Sequence, residues 1–428
     1  MKRDRFAPRL AIVAAVGLLI RLAYVYAHRN NQLGGDPFVY HNGANLLVHG
    51  KGFIQPLLYE FGHRVQSADH PPLYILFLAI PSSVGLQSPL VHLVWSALLG
   101  TGTVVVAGLL GRRVGGDRVG IITAVLVAVA PNIWVYDGDV LSETMAIFVS
   151  TVALLLAYRA LARPSLGRVC ALGAACGVAA LARSELALLA PALVVPIAIV
   201  SGRPDWRTWL GRAAAGIGVA VLVAGPWVGY NLTRFHHPVF LSSQLEPTLA
   251  GANCDDTYHG SQLGAITTTC LGGLDRYGDQ SDTDIILRHR VWKFVTSHKS
   301  RLPIVVAARV GRVTGLFRPG QQLRLDQVYE GRERGIARAG LLNTYLFEIG
   351  AITGFFMWRR REVPRWPLVV LPAVTVFTVA ITYGTNRFRA SAEVSLAVLT
   401  AVALDALWAR RTGRVSSCSG SNGESSPP

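Results

Sequence analysis

Ten mostly apolar runs punctuate the sequence, at 10–27, 73–110, 119–136, 143–158, 169–183, 185–201, 211–229, 341–358, 366–383 and 391–408. A helix needs about 20 such residues to cross the hydrocarbon core of a bilayer, where every backbone N–H and C=O must be satisfied without water. Only 15% of the 428 residues are charged and 51% are hydrophobic. A water-soluble chain of that composition would expose too much apolar surface. The pattern predicts an all-α integral membrane protein with about ten transmembrane helices, plus amphipathic helices on its outer face.

The formal charge of +16 first suggests a nucleic-acid partner. The cations are almost all arginine, however, with lysine only at Lys2, Lys51, Lys293 and Lys299. They cluster between apolar runs, as Arg112–Arg113–Arg118, Arg159–Arg163–Arg168, Arg203–Arg207–Arg212, Arg359–Arg360–Arg361 and Arg410–Arg411–Arg414. That is positive-inside patterning, with the bilayer as partner and no nucleic acid. All five clusters face the cytoplasm if 71–110, broken by PSSVGLQSP, makes a half-helix at 71–80 and one span at about 88–110. Both termini are then cytoplasmic, the first helix is uncleaved, and the protein is a multi-pass plasma (inner) membrane protein.

This orientation puts 28–71, 136–143, 183–185, 230–340 and 384–390 outside, and these segments hold the chemically interesting polar residues. An extracytoplasmic active site is expected. The predicted organisation is an N-terminal membrane module, 1–229, with outer loop 28–71; an extracytoplasmic region, 230–340; C-terminal helices, 341–410; and a Ser/Gly/Pro-rich, disordered cytoplasmic tail, 411–428. Within 230–340, the stretch 302–318 with Arg309 and Arg312 suits an amphipathic helix lying in the membrane interface.

Asp36 follows a Gly-Gly pair and opens a helical pattern through Tyr40, Ala44, Leu47 and Val48, so it is either a helix cap or a functional acid. Asp69 and His70 precede Pro71-Pro72, a helix-initiation signal, yet ionisable residues at membrane depth are costly to keep idle. Glu143 is the strongest of the acids Asp137, Asp139 and Glu143, one of which is expected to cap the 143–158 helix. Arg183 and Glu185 form a charged turn that either pairs internally or lines a polar cavity. Asn386 and Arg387 open the last helix, where the arginine either snorkels or serves a site. Cys254 and Cys270 share a polar loop in an oxidising compartment, which favours a disulfide over a zinc pair. Asn231-Leu232-Thr233 is a weak glycosylation pattern, and no Walker loop, GxSxG elbow or HExxH occurs.

In order, GGDPFVY, DHPPLY, VLSE, LARSE, PWVGYN and YGTNRFR resemble the motif series of the GT-C superfamily of polytopic glycosyltransferases. The resemblance is nearest to the protein O-mannosyltransferase and lipid A aminoarabinose transferase group, and it extends over residues 36 to 389. Tyr230 and Ser184 depart from the usual arginine and proline of that series. The resemblance implies transfer of a hexose or pentose from a polyprenyl-phosphate carrier to an envelope lipid, glycan or protein on the outer face. Asp36 matches the base or acceptor-positioning acid, and Asp69 the acid of the donor or metal site. His70, Arg183, Glu185 and Arg387 are the remaining donor-binding candidates, with Glu143 and Asn386 as further ones. A divalent cation at Asp69 is the one cofactor to consider. The rival reading is a flippase or transporter of lipid-linked sugars, which calls for charged residues along one continuous path through the bilayer.

Overall fold

The computed structural model describes residues 5–31, 33–272, 278–358 and 362–412. Arg359–Arg361 and the predicted tail beyond Thr412 lie outside the described residues. The helices are α1 (Phe6–His28), α2 (Asp36–Val48), α3 (Pro56–Glu60), α4 (Leu73–Ser83), α5 (Pro89–Gly115), α6 (Asp117–Val129), α7 (Pro131–Trp134), α8 (Glu143–Ala162), α9 (Leu166–Ala182) and α10 (Val195–Gly202). They continue with α11 (Trp206–Leu232), α12 (Leu245–Ala252), α13 (Asp255–Tyr258), α14 (Gln280–Ser297), α15 (Leu302–Val313), α16 (Pro319–Glu330), α17 (Arg334–Phe356), α18 (Pro367–Ile381) and α19 (Glu393–Arg411). Among the described residues, the one β feature is an isolated bridge between Ile54 and Gln66. The chain is an all-α membrane protein.

Six described helical segments are long and apolar enough to cross a bilayer: Phe6–His28, Pro89–Gly115, Glu143–Ala162, Ser184–Gly202, Trp206–Leu232 and Asn386–Arg411. Asp117–Val129 and Pro131–Gly138 make a seventh if their 62° bend is one broken span. Pro131 has no N–H to continue the helical ladder, which places the bend there. α4, α9 and α18 are shorter apolar helices. The interrupted run divides as its composition predicts, into the short α4 and the full-length α5.

Small residues bring the helices close, as expected where lipid gives no hydrophobic drive to association. α9 and α11 meet so tightly that a Cβ on Gly173 would lie 2.0 Å from the Gly216 carbonyl oxygen. On α5, a Cβ at Gly100 would strike the Asp137 carboxylate at 2.3 Å. That carboxylate is needed where it is, because its Oδ2 lies 2.7 Å from Nε of the equally buried Arg21. The pair neutralises two charges inside the bundle and ties α1 to the turn before α8.

The amphipathic helix expected within 302–318 is present as α15, and its arginine face is covered by protein. The Arg309 guanidinium donates to the carbonyls of Ala252, Ala380 and Ile381, and Arg312 to the carbonyl of Leu263. Carbonyls stripped of partners at the ends of α12 and α18 are thereby satisfied. Asn231 is likewise buried, donating to the Phe240 carbonyl at 2.9 Å, so the glycosylation pattern is not an exposed acceptor. Cys254 and Cys270 form the expected disulfide, with Cα atoms 6.3 Å apart.

Candidate active site

Gly35 holds φ at +58°, a left-handed value that glycine adopts without strain. The chain therefore turns sharply off α1 and enters α2 with Asp36 as its first residue. Pro37 follows in the first turn, where its missing N–H costs nothing. The N-cap of α2 is Gly35, so Asp36 is inside the first turn rather than at the capping position. Its Oδ2 lies 2.8 Å from Nη2 of Arg387, and its Oδ1 lies 3.6 Å from Nε2 of His70. The capping alternative fails, since the carboxylate is occupied by residues 34 and 351 positions away in sequence. Burial pushes the Asp36 carboxyl upward, but the Arg387 guanidinium and His70 outweigh it and hold it well below the usual carboxylate range. His70 is fixed in turn by stacking on Tyr40, with ring centroids 4.6 Å apart.

Arg387 connects Asp36 to a second acid. Its Nε lies 2.6 Å from Oε1 of Glu143, and the same oxygen accepts from Nη1 of Arg183 at 2.6 Å. Arg183 also reaches Glu185, 2.5 Å from its Nε. Neither Arg183 nor Glu185 lines the two cavities at Asp36, but the internal pairing of the charged turn is present and extends to Glu143. Helix ends converge to make this possible, because Glu143 opens α8, Arg183 closes α9, and Arg387 lies in the 3₁₀ segment leading into α19. None of the three acids is the N-cap of α8, which is Ser142; Asp137 instead accepts from the Thr144 hydroxyl at 2.8 Å.

Two cavities meet at Asp36. One, of about 650 Å³, is walled by Asp36, Asp139, Glu330, Tyr383 and Arg387 among others. The other, of about 410 Å³, is walled by Asp36, Asp69, His70 and Gln55. Asp69 has both oxygens filled, one by Gln55 at 2.7 Å and one by Gln280 at 2.6 Å. Gln280 comes from α14, so the long 230–340 region reaches the site. Asn386 turns away to donate to Asp326 at 2.9 Å, which also lines the larger cavity.

Two wall residues, Asp139 and Glu330, and Gln280 beside Asp69 escaped emphasis in the sequence. Asp139 was visible beside Asp137 but ranked below Glu143, and burial raises its carboxyl to about 6 against the pull of Arg387. Glu330 ends α16 and pairs with Arg332 at 2.7 Å. Gln280 lies 211 positions from Asp69. Nothing local in the sequence distinguishes the last two from surface residues.

The fold has relatives among known proteins. The family model described as dolichyl-phosphate-mannose-protein mannosyltransferase matches residues 69–230. Over 98% of this chain, the structure is similar to the oligosaccharyltransferase AglB of Archaeoglobus fulgidus solved with an inhibitory peptide and a dolichol-phosphate, at a TM-score of 0.57 and 17% identity. The fold is the GT-C fold. A second structure of the Archaeoglobus fulgidus oligosaccharyltransferase, in complex with Zn and sulfate, gives a TM-score of 0.56 at 16% identity over 95% of this chain. The chain spans about half the length of these proteins, 53% and 50%. ArnT from Cupriavidus metallidurans bound to undecaprenyl phosphate is a more distant match, with a TM-score of 0.44 at 14% identity, covering 95% of this chain and 77% of that one. No curated protein matches the sequence. In this GT-C fold the matched segment 69–230 carries Asp69, Glu143 and Arg183, while Asp36 and Arg387 reach the same place from outside it.

Proposed function

We propose that this protein is a membrane glycosyltransferase that moves a sugar from a polyprenyl-phosphate carrier to an acceptor on the extracytoplasmic face. The observation that carries the reading is the position of Asp36, on the shared wall of two cavities and paired to Arg387. A two-substrate transfer needs two binding spaces that meet at one proton-accepting group.

In this mechanism the acceptor hydroxyl attacks the anomeric carbon of the sugar. The bond from that carbon to the phosphate oxygen breaks, and the polyprenyl phosphate leaves with the electron pair. Paired with Arg387, Asp36 is too weak a base to take the hydroxyl proton. An incoming phosphate competes for the Arg387 guanidinium, which stabilises the developing negative charge. Asp36 then loses its partner, its proton affinity rises, and it accepts the proton. Donor binding thus prepares the base.

Charge balance favours a divalent cation. Asp36, Glu143 and Glu185 oppose two guanidinia, Arg183 and Arg387, before any phosphate enters. Asp69 already accepts two amide hydrogens. Asp139, on the larger cavity, has no hydrogen-bond or ion-pair partner for its carboxylate among the described residues and would be the acid that holds the cation, leaving Asp36 to take the proton. The ion would supply positive charge beside the departing phosphate.

The deciding experiment incubates purified protein in vesicles with radiolabelled polyprenyl-phosphate sugars and a cell-envelope extract. Label should appear in a new envelope product. Movement of the intact carrier lipid across the bilayer, with no new product, would establish the transporter reading instead. The orientation has its own check: a cysteine placed within 255–272 should react with an impermeant thiol reagent in intact cells, and one within 203–212 should not. Labelling of the second site alone overturns an outer-face site.

A further inference from the structure

The end of the bundle opposite Asp36 holds a cleft that the transfer reaction does not use. α1 has 23 residues, about 35 Å at 1.5 Å per residue, close to the hydrocarbon thickness of a bilayer. His28 at its far end lines the larger Asp36 cavity. Phe6 at its near end lines a separate groove of about 930 Å³. α6 packs against both α1 and α19 and forms the floor of this groove with Ile121 and Ile122. Leu404, Leu407 and Trp408 of α19 form one apolar wall, and all three are exposed.

The rim of the groove is cationic. Arg5, Arg9, Arg118 and Arg411 line it against a single acid, Asp117. Asp117 is already 2.7 Å from Nε of Arg112, and Arg118 is 3.2 Å from Asp405. Arg5, Arg9 and Arg411 have no acidic partner among the described residues. Three guanidinia without an acidic partner among the described residues thus ring the mouth of an apolar cleft, with Trp408 beside them. Guanidinium groups match phosphate oxygens in geometry and charge, and apolar walls open to the bilayer match acyl chains.

We infer that this groove binds an anionic glycerophospholipid of the leaflet opposite the Asp36 site. Its phosphate meets Arg5, Arg9 and Arg411, and an acyl chain lies over Ile121 and Ile122 between α1 and α19. Such a lipid would bridge the first and last helices of the bundle, which the described contacts join chiefly through α6.

The test counts phosphatidylglycerol molecules retained by the full-length protein in native mass spectrometry, titrated against phosphatidylcholine. The wild type should hold one phosphatidylglycerol selectively. The Arg5→Gln/Arg9→Gln/Arg411→Gln variant should bind it weaker, on the order of a hundredfold. Arg159→Gln/Arg163→Gln, removing cations from another connection, should bind normally. Ile122→Trp keeps every charge but fills the floor, and should also lose the lipid. Equal weakening in the Arg159→Gln/Arg163→Gln control, normal binding by Ile122→Trp, or displacement of the lipid by millimolar inorganic phosphate would each overturn the assignment.

Discussion

Replacing Asp36 by asparagine is expected to slow transfer about 10²–10⁴-fold, the usual loss when a general base is removed. Asparagine keeps the shape of the side chain, and its one carbonyl oxygen can still accept from Arg387. Arg387 also keeps Glu143, 2.6 Å from its Nε, so no guanidinium is left without a counter-charge. The stability cost should therefore stay near 1 kcal/mol. That cost also has a sign in pH. Because the folded-state carboxyl is held below its ordinary value, its stabilisation is present at neutral pH. It is lost as pH falls below about 4, where the unfolded-state group takes up its proton. Wild type and Asp36→Asn should thus converge in stability on acidification. Transfer rate and thermal stability measured on the same preparation decide the matter: a stable variant with near-normal transfer removes Asp36 from the chemistry.

How much of this was legible in the sequence follows the range of each interaction. The spans announce themselves, because a bilayer demands long apolar runs and the arginines mark one end of them. The Gly-Gly pair before Asp36 and the prolines at 71 and 72 are local signals, and the structure uses them as turns and a helix start. The network linking Asp36, His70, Glu143, Arg183, Glu185 and Arg387 was anticipated as a set of residues, since charges at membrane depth need a reason. Its wiring was not. Arg387 meets Glu143 across 244 positions, and no local pattern encodes such a pairing. α15 shows what periodicity leaves open. Periodicity finds its charged face but cannot say whether water or protein covers it, and here the carbonyls of α12 and α18 do. Asp139 and Glu330 were passed over for the same reason, since an acid looks alike at a surface and on a cavity wall.

Glu143 allows the sharpest contrast with Asp36. It is completely buried, and a single oxygen, Oε1, lies 2.6 Å from both Arg183 and Arg387. Glu143→Gln removes the charge that lets two guanidinia approach each other in a medium that screens poorly. Arg183 retains Glu185 and Arg387 retains Asp36, but both of those acids lie toward the edges of the network, leaving the centre positive. Breaking a buried pair at one partner costs about 3–5 kcal/mol, so Glu143→Gln should lose stability and transfer together, unlike Asp36→Asn. Adding Arg183→Gln removes one of the two opposed cations. The double variant should then recover part of the lost stability without recovering transfer, a coupling of about 1–3 kcal/mol in a double-mutant cycle. Thermal or denaturant unfolding of the two single variants and the double variant, followed in parallel with the transfer assay, reads this directly. Additive losses would mean that Glu143 does not hold the guanidinia together, and that Arg387 is positioned for the donor phosphate by Asp36 alone.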